Sequence, residues 1–261
     1  MALVTNDDAN FRFGVTFNCE PTTGRAIPYF PAAEAPSSVS EEDLYAFGME
    51  NSHLLYVAAQ KAKENKEADV LVAFKQAIVD VFGARLQHIQ HCVLSHLTPE
   101  QYGGIDTSIA PSLDRPSITE AYESLDLIQG SFGDAGTLSI TEAITESIKS
   151  LPVKQTGYCG VMLPVCEDVG LSQAVSKGKL TISTLVQLAS VCGVGIDTVP
   201  ISCNANEYSV AALLLDVAAL SKRCKGKPLS VRLLPVGGGA QPGDKTTFNS
   251  PYLCDCIVMH V

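Results

Sequence analysis

The chain has 261 residues, of which 46% are hydrophobic and 18% are charged, and its formal net charge is −10. This composition excludes a disordered chain and predicts a folded globular protein with a large core. The acidic balance opposes binding to nucleic acid and to anionic membrane surfaces, because both attract clustered lysine and arginine.

The first part of the chain predicts one strand and two helices. The alternating sequence FRFGVTF at 11–17 predicts a strand, and a loop rich in Pro, Gly, Ser and Thr follows it. Ser40 is the expected N-cap of a helix over SEEDLYAFGMENSHLLYVAAQKAKENK, since acidic residues fill its first turn and lysines crowd its end. Apolar residues at helical spacing predict a second helix over 68–96, which Gly83 could interrupt.

Strands and helices alternate along the rest of the chain. A strand at 105–110 precedes a helix that begins at a capping box formed by Ser117 and Glu120. Further helices are predicted at 137–151, within 167–178, at 182–191 and at 206–224, and further strands at 158–165, 195–202, 230–236 and 254–261. Apolar strands separated by helices indicate a single α/β domain over residues 1–261, with a largely parallel sheet, open or closed into a barrel, and helices on both faces.

Several separated motifs occur in a fixed order along the chain: FRFGVTFNCEP with PYFPAA, GGIDTSIAPS, DAGTL, GYCGVMLPVCEDVG, SVCGVGIDTVPI, and VRLLPVGGG followed by a Gly-Asp pair. By these motifs the sequence resembles the DUF711 (UPF0210) family. The resemblance implies an α/β barrel similar to that of glycyl-radical enzymes such as pyruvate formate-lyase. Family members carry a substantial region before the FRFG strand, which here nearly opens the chain. We therefore expect an incomplete barrel whose sheet edge is covered in a homo-oligomer or by a partner chain.

The same resemblance raises the question of radical chemistry. The loop Gly237–Gly239 lacks the Arg-Val-x-Gly-Tyr setting in which a radical glycine lies, so we do not expect glycyl-radical chemistry. Three successive glycines instead predict a turn or a close approach of the backbone to a ligand.

Carboxylates at the predicted strand ends are the main catalytic candidates. Asp106 follows one strand, Glu167 and Asp168 follow LPVC, and Asp197 lies in GIDTV. Ligands of parallel α/β folds bind at the carboxyl ends of strands, so these acids could share a pocket. Either one of them is then protonated and serves as a general acid or base, or a divalent metal ion held by Asp106, Asp168 and Asp197 neutralises them. In the alternative interpretation they cap helices and turns.

Four further residues are candidates for substrate binding. Asn18 and Glu20 lie in the loop directly after the first strand, and Ser108 follows Asp106. Arg232 lies in the apolar strand SVRLLPV, where an unpaired guanidinium is costly to bury. We expect Arg232 to pair with one of the acids or to bind an anionic substrate.

The cysteines and histidines are weaker candidates. Nine cysteines are an odd number in a chain too large to need disulfides, which favours reduced, mostly buried thiols. Cys159 and Cys192 have no neighbouring histidine in the sequence to activate a thiolate, so a structural role is favoured over catalysis. His88, Cys92 and His96 share a helical face and could hold Zn²⁺ or Ni²⁺, but a polar surface is the more frequent outcome.

Two functions are compatible with these features. The first is an enzyme that acts on a small anionic or carbonyl-bearing metabolite through the carboxylate-lined pocket. The second is a non-catalytic ligand-binding or assembly module that needs a partner chain. Signatures for nucleotide hydrolysis, nicotinamide chemistry, zinc proteolysis and esterase action are absent from the sequence. The N-terminal residues form no secretory leader and no apolar segment could span a bilayer, so we expect a cytoplasmic protein.

Overall fold

The computed structural model describes residues 14–17, 43–65, 69–114, 116–224 and 227–261. Twelve regular elements lie within these ranges: β1 (Val15–Phe17), β2 (Tyr45–Phe47), α1 (Ser52–Glu64), α2 (Val70–Leu94), β3 (Tyr102–Ile105), α3 (Ile118–Glu123), α4 (Thr137–Lys149), α5 (Val169–Ser176), α6 (Ile182–Leu188), β4 (Gly195–Ser202), α7 (Glu207–Arg223) and β5 (Leu229–Val236). The chain is therefore a mixed α/β protein, as the sequence predicts.

Helix α2 confirms the long helix predicted around residues 68–96. Asp69 is its N-cap, and the carboxylate accepts hydrogen bonds from the backbone amides of Leu71 and Val72. The helix runs through Gly83 without a break, so the possible interruption there is wrong. A glycine costs only about 1 kcal/mol inside a helix, and the buried Phe74 and Phe82 on the same helix offset that cost.

The helix predicted to begin at Ser40 is wrong in its first half. Residues Tyr45–Phe47 form strand β2, and the helix begins only at Ser52. The backbone of β2 pairs with β3: the Tyr45 amide donates to the Gln101 carbonyl at 2.8 Å, and the Phe47 carbonyl accepts from the Asp106 amide at 2.7 Å. These partners lie more than fifty residues away in the chain, so local helix signals could not reveal them. Ser40 itself lies outside the described residues.

Two small sheets carry the strands. In the first, β5 lies between β4, which is parallel to it, and β1, which is antiparallel; in the second, β2 and β3 are parallel. Single parallel bridges from Ile105 to Gln155, Ile109 to Val161 and Pro164 to Asp197 link the two sheets through segment 155–164. The parallel segments thus follow one another in chain order. The described residues form no closed barrel, and the resemblance to the pyruvate formate-lyase barrel is not confirmed by them.

Two predicted strands, at 158–165 and 254–261, are present only as isolated bridges. In the first, Gly157 and Cys159 both have positive φ, which interrupts an extended backbone. Gly160 also lies so close to Gly193 that a Cβ at Gly160 would stand 2.6 Å from the Gly193 Cα. In this segment the backbones around Gly160 and Gly193 pack directly against each other, and no regular series of strand hydrogen bonds forms.

Most of the core is a single apolar cluster that joins the helices to the strands, and a small second cluster contains Tyr158 and Val194. The large cluster contains side chains from α1 and α2, such as Leu55 and Phe74, together with Ile196 and Ile201 of β4. The capping box of Ser117 and Glu120 starts α3 as the sequence predicts. None of the helices in the described ranges is long and apolar enough to cross a membrane.

Candidate functional site

A cleft of about 370 Å³ opens where the parallel segments approach one another. Its polar lining consists of Glu50, Asp106, Ser108, Glu167, Asp197 and Arg232, and its apolar wall includes Met49, Pro111, Met162 and Pro164. Five of the residues that the sequence selects therefore meet in one cavity. Its volume matches that of a small-molecule site.

Asp106 follows the last residue of β3 and is only 2% exposed. One carboxylate oxygen, Oδ1, accepts from the backbone amide of Ser108 at 2.9 Å, the Ser108 hydroxyl at 2.5 Å and the Cys159 amide at 3.1 Å. The other oxygen, Oδ2, accepts from the Tyr158 amide at 3.2 Å. Asp106 therefore fixes the loop after Gly157 in place, in addition to lining the cleft.

Gly157 lies directly against this carboxylate, and we predict that Gly157→Ala both destabilises the fold and disturbs the cleft. A Cβ at Gly157 would stand 2.2 Å from Asp106 Oδ2, and the residue has φ of +75°. Gly178→Ala is a matched control, since Gly178 has φ of +69° but no atom within 4 Å of the added Cβ. We expect Gly178→Ala to cost about 1 kcal/mol of unfolding free energy and Gly157→Ala clearly more, measured by urea denaturation. Equal costs would contradict the steric argument.

Asp197 lies at a bulge inside β4 and not at the end of the strand, where the sequence placed it. The pairing of β4 with β5 shifts register between Ile196 and Val199, and Thr198 has φ of 44°. A β-branched residue is strained in this left-handed region. The Thr198 hydroxyl accepts from the Cys166 amide at 3.3 Å, so the bulge holds the segment that carries Glu167. Backbone strain of this kind is concentrated at functional sites.

Arg232 of β5 is buried and joins two acids. Its Nε donates to Asp197 Oδ1 at 2.5 Å, and its Nη2 donates to Glu167 Oε1 at 2.7 Å. Burial alone would lower the pKa of Arg232, but the adjacent Asp197 and Glu167 outweigh burial and raise it. Of the two roles expected for this arginine, the structure shows the pairing with carboxylates.

The surroundings of Glu167 raise the pKa of its carboxyl group. Burial raises the pKa of Glu167 to about 8, and the charge of Asp197 adds to the rise, while Arg232 opposes it. The side chain remains 21% exposed, so its carboxyl group is accessible from the cleft. A carboxyl group with this pKa carries a proton at pH 7 and can give it to a bound molecule.

Glu50 is a polar residue of the cleft that the sequence reasoning missed. It lies just beyond β2 and forms a parallel bridge with Ala110. Its position was hidden because the surrounding residues were interpreted as helix. One feature of the sequence could have indicated this position. A short apolar segment, Tyr-Ala-Phe, ends at Gly48, and the acid Glu50 follows shortly after it.

Asp168 does not line the cleft; it is fully buried at the start of α5. Its Oδ1 accepts from the Leu171 amide at 2.9 Å and from the Ser117 hydroxyl at 2.6 Å, and its Oδ2 accepts from the Ile118 amide at 2.8 Å. The carboxylate thus caps α5 and ties it to the first turn of α3. This arrangement matches the capping role that the sequence left open.

Cys159 and Cys192 are not among the residues that line the cleft. Asn18 and Glu20 fall outside the described residues. Cys159 and Cys192 are buried thiols next to the backbone carbonyls of Thr156 and Gly195, at 3.0 and 3.7 Å.

No metal-binding group is formed by the described part of the chain. There, no three His, Cys, Asp or Glu side chains are arranged to hold a metal ion. Asp168 is separated from the cleft that contains Asp106 and Asp197, so the three expected ligands do not meet. Cys92 Sγ is 3.6 Å from His88 Nε2, and His96 lies beyond the end of α2.

Comparison with known proteins identifies the family. A family model described as an uncharacterised ACR (DUF711) matches residues 1–249. The chain belongs to the DUF711 family. This result confirms the resemblance that the ordered motifs indicate.

Curated relatives of this DUF711 chain are named UPF0210 proteins. One from Pyrobaculum aerophilum is 36% identical over 146 residues, which is 55% of this chain and 32% of that protein. One from Oenococcus oeni is 34% identical over 152 residues, or 56% of this chain and 33% of that protein. One from Limosilactobacillus reuteri is 27% identical over 206 residues, or 77% of this chain and 45% of that protein. The chain spans less than half of the length of these relatives, and no solved structure matches it.

Proposed function

We propose that the cleft of this DUF711 protein is the active site of an enzyme that acts on a small carbonyl-bearing metabolite, with Glu167 as general acid. The observation that carries this proposal is the mostly buried carboxyl group of Glu167, which lines a cleft of substrate size and accepts a hydrogen bond from Arg232; its burial raises its pKa to about 8. Proton transfer to a carbonyl oxygen is a frequent role of a carboxyl group tuned in this way.

Arg232 and Asp197 maintain the state of Glu167 in this proposal. Arg232 holds the Glu167 carboxyl in a fixed orientation through Nη2, while Asp197 repels a negative charge on it. After Glu167 gives its proton to the substrate, the same guanidinium stabilises the carboxylate that remains. Burial and Asp197 thus favour the protonated form before the transfer, and Arg232 stabilises the carboxylate after it.

The charge of the cleft favours an uncharged substrate over an anionic one. Among the described residues of its lining, Glu50, Asp106 and Asp197 are acidic in addition to Glu167, and the one cation, Arg232, already contacts Asp197 and Glu167. An anionic metabolite would face several negative groups, whereas a neutral carbonyl can accept a hydrogen bond from protonated Glu167. Of the two substrate classes that the sequence suggests, the structure thus supports the carbonyl compound.

A screen of small uncharged aldehydes, ketones and amides tests the proposal by thermal shift and by NMR detection of turnover. In the wild type, we expect a ligand to raise Tm at pH 6.5 and to be converted, with both effects declining above pH 8. Glu167→Gln keeps a neutral side chain but has no proton to give, so we expect pH-independent binding without conversion. Glu146→Gln, on the exposed face of α4, is the control and should behave as wild type. Binding without conversion in the wild type would instead support the non-catalytic module.

The pH dependence of stability gives a second test of Glu167. Its pKa is about 8 in the folded chain, above the ordinary value of 4.5, so the folded state keeps its proton while the unfolded state loses it. The stabilising contribution is complete below pH 4.5 and is lost as the pH rises to 8. We expect the unfolding free energy of Glu167→Gln to fall less over this range than that of the wild type, measured by urea denaturation. Parallel curves for the two proteins would contradict the raised pKa.

A further inference from the structure

Helix α7 has two apolar faces, and only one of them packs against the protein. Leu213 and Val217 are buried on the inner face. On the opposite face, Tyr208 is 86% exposed and Leu215 is 71% exposed. A helix on the surface of a monomer normally has polar residues on its outer face, so the exposed apolar side chains of α7 require a different explanation.

Several exposed residues form a stripe along the helix, and the exposed Asp216 lies beside it, about 100° around the helix from Leu215. At about 100° per residue, Tyr208, Leu215 and Lys222 recur every seven positions and lie nearly in line, opposite Val217. Ala211 and Ala219 flank Leu215 on the same face, and both are exposed. Alanine allows the backbone of a neighbouring helix to approach closely, so the stripe has the form of a helix-packing surface.

We propose that α7 of a second copy of this chain covers this stripe, antiparallel to the first, with the two-fold axis at Leu215. In such a pair, a residue that precedes Leu215 by some number of positions lies beside the residue of the second copy that follows Leu215 by the same number. We call such residues level, or at the same height along the helix axes. Leu215 then meets its own copy, and Ala211 meets Ala219 of the second copy. Tyr208 comes to the height of Lys222 of the second copy, where the ammonium group can contact the ring. The stripe is therefore self-complementary, as a two-fold interface requires.

The charges of α7 favour a second copy in this orientation. Glu207 lies at the start of the helix, and Lys222 and Arg223 lie at its end, all exposed. The antiparallel pair brings Glu207 close to the height of Lys222 of the second copy, on the same side of the contact, at both ends. A parallel pair would place like charges side by side, and the two helix dipoles would also repel. The inference does not depend on the proposed function of the cleft.

Sedimentation velocity on the full chain, over about 1 to 100 µM, tests the proposal. We expect the wild type to form a dimer, and we expect Leu215→Glu to raise the dissociation constant by about 100-fold or more, because two carboxylates would then meet at the axis. Val72→Glu, a substitution of a 62% exposed valine on α2, is the control and should leave the dimer intact. A wild-type monomer throughout this range, or a dimer that Leu215→Glu leaves unchanged, would overturn the proposal.

Charge reversal at positions 207 and 222 tests the orientation. Glu207→Lys alone should weaken the dimer, since it places lysine beside Lys222 of the second copy. Adding Lys222→Glu should restore part of the affinity, because opposite charges then face each other again, while the contact of Lys222 with the Tyr208 ring stays lost. Circular dichroism checks that each variant is folded. A double variant that associates no better than Glu207→Lys would rule out the antiparallel arrangement.

Discussion

Replacing Arg232 by methionine should lower the unfolding free energy by about 3 to 5 kcal/mol at pH 7. The guanidinium is buried and contacts Asp197 at 2.5 Å and Glu167 at 2.7 Å. Methionine fills much of the same volume but leaves Asp197 buried without its cationic partner. A buried unpaired carboxylate must be protonated or hydrated at the expense of the folded state. Urea denaturation monitored by circular dichroism measures the difference from the wild type.

A second substitution distinguishes this cause from simple loss of packing. Adding Asp197→Asn to Arg232→Met should recover part of the lost stability by removing the unpaired charge. If Asp197→Asn recovers nothing, the buried ion pair does not account for the role of Arg232.

Replacing Asp168 by alanine should cost about 2 to 4 kcal/mol of unfolding free energy, more than the loss of an ordinary helix cap. The carboxylate is fully buried and accepts hydrogen bonds from the amides of Leu171 and Ile118 and from the hydroxyl of Ser117. Alanine leaves these donors without that partner, at the start of two helices. Differential scanning calorimetry and urea denaturation both measure the loss.

The matched control for Asp168 is Asp69→Ala, which removes the N-cap of α2. Asp69 accepts from the amides of Leu71 and Val72 at an exposed position, where water can replace the carboxylate. We expect Asp69→Ala to cost about 1 kcal/mol. Comparable costs for the two substitutions would show that Asp168 is an ordinary cap. Because Asp168 does not line the cleft, ligand binding by folded Asp168→Asn should match that of the wild type.

The proposed proton transfer and the stability of the fold both depend on the guanidinium of Arg232. Arg232 compensates the charge of Asp197 and orients Glu167, so the substitution that costs most stability should also alter the proton donor. Glu167→Gln removes the carboxyl proton but should keep the stability, because glutamine can still accept the hydrogen bond from Arg232. It therefore separates the effect on proton transfer from the effect on stability. Loss of conversion in Glu167→Gln with retained stability would assign the chemistry to the carboxyl proton.

The sequence predicted those elements whose signals are local. The 25-residue helix α2, the capping box at Ser117 and the buried strand β4 each depend on residues within a few turns of one another, and all three are present. Strand β2 could not be predicted in this way, since its hydrogen-bond partners are in β3. The isolated bridges at Val161 and Met259 also depend on distant segments, although their apolar residues suggested strands.

What the sequence by itself determined is the family, the α/β class and five of the six described polar residues that line the cleft, because acids next to apolar strands are visible without a structure. Only the tertiary structure decided which acids meet. In the structure, Asp168 caps one helix and accepts a hydrogen bond from the first turn of another. Glu50 lines the cleft, although the sequence predicts a helix around it. Asp197 contacts Arg232 from a strained bulge. The physical reason is that the pKa of Glu167 depends on burial and on charges from other strands. These are properties of spatial neighbours, and spacing along the chain does not specify them.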